Sequence, residues 1–311
     1  MPELPEVTTT VAGINKVMRG LTIKNVWTDL GKKNVTLPHH KYSLKDAGFF
    51  KTFQKKVAGA KVLGAKRIGK NILINLSNGE TILIHMKMTG HLLYGKYSYN
   101  KKSNSWTPDE KEKNKALRDP YNRFIHAVFA LSNGKHLAFS DTRKFGKIII
   151  VPSKEILDEK YLGKIGPEPL EKTFTFNKFR DQLNKKPSWK IKQALMDQSV
   201  IAGIGNIYSD EMLWLSDIHP ESRVNKIPLP YFKKLYSAMK KVLLKGIDFG
   251  GDSMSDYRNI HGEPGRFQLH HNVYRKTKSA CGKKNCTGVI IRKVVAGRSA
   301  HFCPKHQILF K

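Results

Sequence analysis

Cysteine is absent from the first 280 residues of this chain. Only three occur in 311, at Cys281, Cys286 and Cys303, too few for a disulfide framework. No apolar run approaches the ~20 residues that cross a bilayer, and no basic region leads into an apolar one at the N-terminus. The expectation is a cytoplasmic protein in a reducing compartment, monomeric and away from membranes. Acidic residues are scarce as well, 25 Asp and Glu against 56 Lys and Arg, for a formal net charge of +31. The bases run along the whole chain, which points to a polyanionic partner, nucleic acid first. A ribosomal or merely soluble basic protein would share that charge, so it fixes the partner's class and nothing finer. With 40% hydrophobic residues the chain is long and apolar enough to fold into two or three domains.

The apolar pattern changes along the chain. Residues 1–150 read mainly as strands: 70–76, 81–86, 124–131 and 147–151 are short, rich in Ile, Val and Phe, and bounded by turns. Ser77-Asn78-Gly79 and Ser132-Asn133-Gly134 supply hairpin turns. The opening, residues 5–18, predicts a helix that starts at a proline. Residues 95–120 carry few apolar positions and read as a solvated insertion. Several short strands with little helix predict a sandwich or barrel. Gly166-Pro167-Glu168-Pro169 marks a linker. Helical periodicity follows over 174–249, at 179–183, 191–196, 207–214 and 231–244. Gly203-Ile204-Gly205-Asn206 separates two of these helices; such a turn gathers N–H groups that suit a phosphate, or is simply a turn. Residues 250–265 read as a loop.

Two ends carry chemistry. Removal of Met1 leaves Pro2 as a free secondary amine beside Glu3. An α-amino group titrates near ~8, far below lysine, so more of it is unprotonated at neutral pH. Such an amine can attack an electrophilic carbon and form an iminium adduct, with the adjacent carboxyl as a proton source. At the other end, Cys281, Cys286, Cys303 and His306 follow C-x4-C-x16-C-x2-H, with β-branched residues at 289–291 and 294–295 between the pairs. That is zinc-ribbon spacing, and Cys3His is an accepted structural zinc set. Four protein ligands leave no open position, so one structural ion is expected.

These pieces resemble the formamidopyrimidine-DNA glycosylases, the 8-oxoguanine glycosylases of the Fpg/Nei superfamily, over nearly the whole chain and in order. The motifs are Met1-Pro2-Glu3-Leu4-Pro5-Glu6-Val7, Lys70, Met88-Thr89-Gly90, Asp141-Thr142-Arg143-Lys144-Phe145-Gly146 and Gly166-Pro167-Glu168-Pro169-Leu170. Gly205-Asn206-Ile207-Tyr208 with Glu211, and His301-Phe302-Cys303-Pro304, complete them. The resemblance implies an α+β multidomain protein: an N-terminal catalytic β-sandwich (1–155), a linker (156–172), a helix–two-turn–helix domain (173–265) with a lesion loop at 250–266, and a zinc ribbon (266–311). DNA would lie between the domains. It implies Pro2 as Schiff-base nucleophile, Glu3 as the acid assisting ring opening, Lys70 in β-elimination and Arg298 in δ-elimination. An extruded base leaves a hole, filled here by Met88, Arg143 and Phe145.

Phosphate contacts would fall to Asn206, Lys70, Arg298 and the stretch Lys185, Lys186, Lys190 and Lys192; those lysines read equally well as a solvated helix face. Glu6 and Glu211 match further acidic positions near the nucleophile, or serve as structural ion-pair partners. The lesion loop would offer mainly backbone amides from Ser253, Met254, Ser255, Asp256 and Tyr257. Two departures stand out. The family usually carries four cysteines in two C-x2-C pairs. Phe124 lies where many members have a DNA-contacting histidine, a role His126 would then take. The expected function is a bifunctional base-excision-repair enzyme, removing oxidised purines from duplex DNA and cleaving abasic sites. A pyrimidine-preferring member, or a binding-only protein on the same scaffold, are the alternatives.

Overall fold

The structure, a computed structural model, describes residues 1–31, 41–254 and 256–311; Ser255 lies outside the described residues. The chain divides into two units, Met1–Gly163 with Gly250–Arg266, and Lys164–Phe249 with Phe267–Lys311. The boundary after Gly163 falls inside the expected linker. The loop at 250–266 belongs to the first unit and not, as read from the sequence, to the helices that precede it. Ile260 is the physical reason: it is buried in the first unit's core, so close to helix α1 (Leu4–Met18) that a Cβ on Gly13 would come within 2.4 Å of its side chain.

The first unit is built on two antiparallel sheets. One has the order β1 (Ile23–Thr28), β8 (Ile125–Leu131), β9 (His136–Ser140), β5 (His91–Gly95). The other runs β10 (Lys147–Pro152), β4 (Glu80–His85), β3 (Asn71–Leu76), β2 (Val62–Ile68). Alternation along the strands sends Ile148 and Ile150, Ile72 and Ile74, Phe129 and Leu92 into one shared core. The opposite face of β10 is also covered: Ile149 and Val151 meet Phe49 and, near the short helix α3 (Glu159–Leu162), Tyr161 and Leu162. This double burial makes 147–151 read as a continuous apolar run. Gly79 and Gly134 close the expected hairpins with φ of 79° and 76°, a conformation glycine adopts without strain.

Helix α2 (Ala47–Val57) was not foreseen among the strands. Its signals are a capping aspartate, Asp46, whose carboxylate accepts from the N–H groups of Gly48 and Phe49, and buried Phe53 and Val57 four residues apart.

The insertion also differs from its expectation. Residues 97–108 form a hairpin, β6 (Tyr97–Asn100) with β7 (Ser105–Pro108). Tyr97 and Leu117 then pack on Leu93, Val128 and Ala138, with Trp27 and Trp106 beside them. The segment therefore covers the outer face of the first sheet through Tyr97, Trp106 and Leu117, while most of its polar residues stay exposed, as expected.

The second unit is helical: α4 (Phe176–Asn184), α5 (Ile191–Met196), α6 (Asn206–Leu215) and α7 (Leu229–Asp248). It ends in the hairpin β11 (Ile291–Val295) and β12 (Arg298–Phe302). Trp214, Val273, Ile290 and the cysteines share a small core at the base of that hairpin.

Phe53 is fully buried, with its ring 6.1 Å from that of Phe129 in the core. Phe53→Ala is expected to lower stability by about 4 kcal/mol, read from urea denaturation. A loss near zero would mean that α2 does not anchor on the sheets.

Candidate active site

Pro2 and Glu3 are buried at the start of α1. Glu3 is the residue before the first helical turn, in extended conformation, so both lie at the positive end of the helix dipole. Glu6 fixes them. Its Oε2 accepts from the backbone N–H of Glu3 at 2.7 Å, and its Oε1 from that of Asp252 at 2.6 Å. The Tyr257 hydroxyl donates to the Glu6 carbonyl oxygen at 3.0 Å. Glu6 is thus a structural bridge between the chain's first residues and the 250–266 loop, through backbone N–H groups rather than the ion pair read from the sequence. Gly251 (φ +88°) must lack a side chain, since a Cβ would sit 2.8 Å from Glu6 Cγ.

Lys70 occupies the two-residue turn between β2 and β3, after Gly69 (φ 56°), and is 5% exposed. The neighbouring end of the sheet is cationic. Burial first, and then the charges of Lys87, Lys70 and Lys147, push His85 down to about 3. His85 is therefore neutral at pH 7, and its Nδ1 accepts from the Lys87 N–H at 3.0 Å. Burial and Lys87 lower Lys147 as well. Such a concentration of positive charge favours an anion at this edge.

The residues expected to enter DNA stand at loop tips. Met88 and Phe145 are 41% and 50% exposed, unlike the apolar side chains of the strands around them. Arg143 lies over the Phe145 ring, 4.6 Å from its centre. Both loops depend on a residue whose role the sequence did not disclose, the buried Asp141. Its carboxylate accepts from the Thr89 hydroxyl, from the Gly146 N–H at 2.7 Å and from the Arg143 N–H at 3.3 Å. Phe139 sits between the loops; a Cβ at Gly90 or Gly146 would come within 2.7 Å or 2.3 Å of its ring. One carboxylate and one ring thus register both loops together. The signal was Asp141 itself, an acid opening a basic turn.

His126 does not present itself to solvent. It is 8% exposed, and its Nδ1 lies 2.9 Å from both oxygens of Asp29. In the loop, Ser253 donates its hydroxyl to the Tyr257 carbonyl oxygen, Met254 is 40% exposed, Asp256 is half-buried and Tyr257 is buried.

In the second unit the four lysines have four different settings. Lys185 meets Gln182, Lys186 lies over the Trp189 ring, and Lys190 pairs with Glu221. Lys192 is fully buried and paired with Asp210. The other Asp210 oxygen accepts from the backbone and ring nitrogens of His301, at 2.9 and 3.1 Å. Lys192 is thus a structural ion that docks α5, α6 and β12 on one another, which corrects its place among the phosphate contacts. Its position was readable: it lies three and four residues before Leu195 and Met196 on a short apolar helix. Glu211 is also structural. It is fully buried and accepts from the N–H groups of Asn272, Val273 and Tyr274, at 2.9 to 3.0 Å, and from Asn272 Nδ2 at 2.8 Å. Asn206 starts α6, where its Nδ2 donates to Ser299 Oγ at 3.4 Å. Arg298 is exposed at the end of the two-residue turn Ala296–Gly297, whose φ values of 47° and 76° suit a tight hairpin.

Cys281, Cys286, Cys303 and His306 converge, with ligand atoms all within 4.8 Å of one another. The Cys286 and Cys303 sulfurs are 3.7 Å apart, near the ~3.8 Å edge of a tetrahedron with ~2.3 Å metal–sulfur bonds. A Cβ on Gly288 would fall 2.5 Å from Cys303 Sγ. His306 turns Nδ1 to Cys281 Sγ and Nε2 to the Trp214 carbonyl oxygen at 3.2 Å. A metal-bound histidine donates its second N–H in this way, so the residues fit a metal ion.

Comparison with known proteins agrees along the whole chain. The family model for the formamidopyrimidine-DNA glycosylase N-terminal domain matches residues 1–148, and that for its H2TH domain matches 165–258. The formamidopyrimidine-DNA glycosylase of Heliobacterium modesticaldum is 35% identical over 307 residues, covering 99% of this chain and all of that protein. Two solved complexes of the Lactococcus lactis Fpg, each 29% identical, cover 97% of this chain and 98% of their own. One holds DNA with an abasic site, at a TM-score of 0.77; the other is a mutant with Fapy-dG-containing DNA, at 0.78. The chain belongs to the formamidopyrimidine-DNA glycosylase family and is a DNA glycosylase.

Proposed function

We propose that this glycosylase removes oxidised purines, 8-oxoguanine and formamidopyrimidines, from duplex DNA and then cleaves the strand as an abasic-site lyase. The observation that carries this reading is the buried start of α1, where Pro2 and Glu3 are fixed through Glu6. Once Met1 is removed, the helix dipole disfavours the protonated amine of Pro2 and keeps its lone pair available. That nitrogen attacks C1′ of the damaged nucleotide as the bond from C1′ to the base breaks, and the base leaves with the proton that the nitrogen gives up. Glu3 protonates the ring oxygen, the sugar opens, and the secondary amine becomes an iminium ion.

The iminium withdraws electrons from C2′, so loss of a C2′ proton expels the 3′ phosphate. Lys70, at its cationic edge, holds phosphate and serves that step. Arg298 serves the second elimination, at the 5′ phosphate. Met88, Arg143 and Phe145 fill the space left by the extruded nucleotide, the first as a wedge and the last as a stacking ring. Asn206 and Lys186 add phosphate contacts. Backbone amides within 253–257 receive the base, an arrangement that the anchoring of this loop on Glu6 supports. The Cys3His set holds one zinc ion, whose chemistry is structural.

Three outcomes are expected. Borohydride should trap a covalent complex between the processed protein and an 8-oxoguanine:C duplex, and Pro2→Gly should abolish it; an undiminished band would place the nucleophile elsewhere. Glu3→Gln should bind the same duplex with its affinity intact but release base at least about 100-fold more slowly, and wild-type excision would refute the acid. The isolated protein should contain one zinc per chain by elemental analysis. Chelation should lower its melting temperature and alter Trp214 emission, because Trp214 packs 5.7 Å from the His306 ring. A chain without zinc, or one indifferent to chelator, would remove the metal from the reading.

A further inference from the structure

The inserted segment and the far limb of the 250–266 loop meet in a patch that the chemistry above leaves unused. Arg258, 6% exposed, sets Nε 3.2 Å from Asp119 Oδ2 and Nη2 3.4 Å from Asp119 Oδ1, a fork on a carboxylate. Its guanidinium lies over the Tyr121 ring, 4.5 Å from the centre. Beside it, Asn114 Nδ2 donates to the His261 carbonyl oxygen at 2.7 Å and Asn122 Nδ2 to that of Gly262 at 3.1 Å. The approach is close: a Cβ on Gly262 would come within 2.8 Å of Asn122 Nδ2.

The same guanidinium also faces the loop. Its Nη1 donates to the Tyr257 carbonyl oxygen at 2.9 Å. That oxygen also accepts from Ser253 Oγ at 2.7 Å, and Ser253 Oγ accepts from the Gly265 N–H at 2.8 Å. A continuous line of hydrogen bonds therefore runs from Asp119, in the insertion, across the neck of the loop to Gly265. The near limb is already held by Glu6. Between the two anchors lie residues 253–257, in a segment flanked by Gly250, Gly251, Gly262 and Gly265. Glycine gives a chain more freedom to lose on ordering, and a loop ordered in advance does not bear that cost when it binds.

We infer that Arg258, held by Asp119 of the insertion and by Tyr121 just after it, is a positioning residue that keeps the neck of this loop in its base-holding shape. The inference rests on the reading of 250–266 as the loop that receives the damaged base. Arg258 acts through Tyr257 and Ser253 and touches no reacting atom. The insertion thus does more than cover a sheet: it is the abutment on which the recognition loop is fixed.

The test separates base holding from strand cleavage. Arg258→Met keeps an apolar stem over Tyr121 and removes the fork. Single-turnover excision of 8-oxoguanine from duplex DNA should slow about tenfold, while cleavage of a duplex already carrying an abasic site, which has no base to hold, should be unchanged. Arg258→Lys should recover part of the excision rate. Asp119→Asn, which keeps an acceptor for the Tyr121 N–H, should fall between. Equal losses on both substrates, or no loss on either, would overturn the inference. Amide hydrogen exchange in the DNA-free protein is the second measurement. The Met254 and Tyr257 amides should exchange faster in Arg258→Met than in wild type, and unchanged protection would overturn the inference whatever the enzyme's substrate. A wild-type enzyme that ignores oxidised purines, with the exchange difference present, would instead refute the substrate reading alone.

Discussion

The first unit depends on one carboxylate. Glu6 is buried in the opening turn of α1, and each of its oxygens holds a backbone N–H from a different part of the chain, Glu3 and Asp252. A buried carboxylate is tolerated only where its lone pairs are satisfied. The residues that satisfy Glu6 are the start of the chain and the start of the 250–266 loop. Neither could move without leaving a charge exposed to the core. The geometry leaves no slack, because Gly251 approaches Glu6 as closely as a residue without a side chain can. The first residues of a protein are ordinarily among its least ordered; here residues 2–7 are all buried.

The same device recurs. Asp141 registers the two loops that carry Met88, Arg143 and Phe145. Asp210 joins Lys192 to the hairpin of Arg298, and Glu211 gathers the three successive N–H groups of 272–274. An ionised carboxylate accepts several hydrogen bonds at once, so it can order irregular backbone that no sheet or helix would hold. Acids are scarce in this sequence, and a share of them is spent inside. The surface is accordingly more cationic than the composition alone implies, which favours approach to a phosphate backbone.

Much of this was legible in the sequence. The strands at 71–76, 80–85 and 125–131, the helix at the opening and the helix at 191–196 follow from apolar spacing and turn residues. The Cys3His cluster, which could hold a metal ion, follows from the order of its residues. What stayed hidden has a common cause. Periodicity reports which face of an element is apolar but not what covers it, so the insertion read as solvated although Tyr97, Trp106 and Leu117 close a sheet face. Charge reports composition but not pairing, so Lys192 read as a phosphate contact although it is buried against Asp210; His126, given a DNA contact only by the family resemblance, is likewise buried against Asp29. The side of the chain on which the 250–266 loop packs was set by buried Ile260 and Tyr257, two apolar side chains in a largely polar stretch.

The hairpin of residues 291–302 shows how an exposed finger is tied to its unit. Arg298 is exposed at the end of a two-residue turn. Its strand β12 is held at two points along its length. Cys303 and His306 belong to the Cys3His cluster just beyond its end, which could hold a metal ion, while His301 is tied to Asp210 and, through it, to Lys192. Breaking a buried pair of this kind by removing one partner costs about 3–5 kcal/mol, because the other charge is left uncompensated. The two supports differ in chemistry. Thiolate ligands respond to oxidation and chelation, whereas a buried ion pair responds to neither. A metal ion lost from the Cys3His cluster would therefore leave β12 attached to α6 through Asp210 and His301.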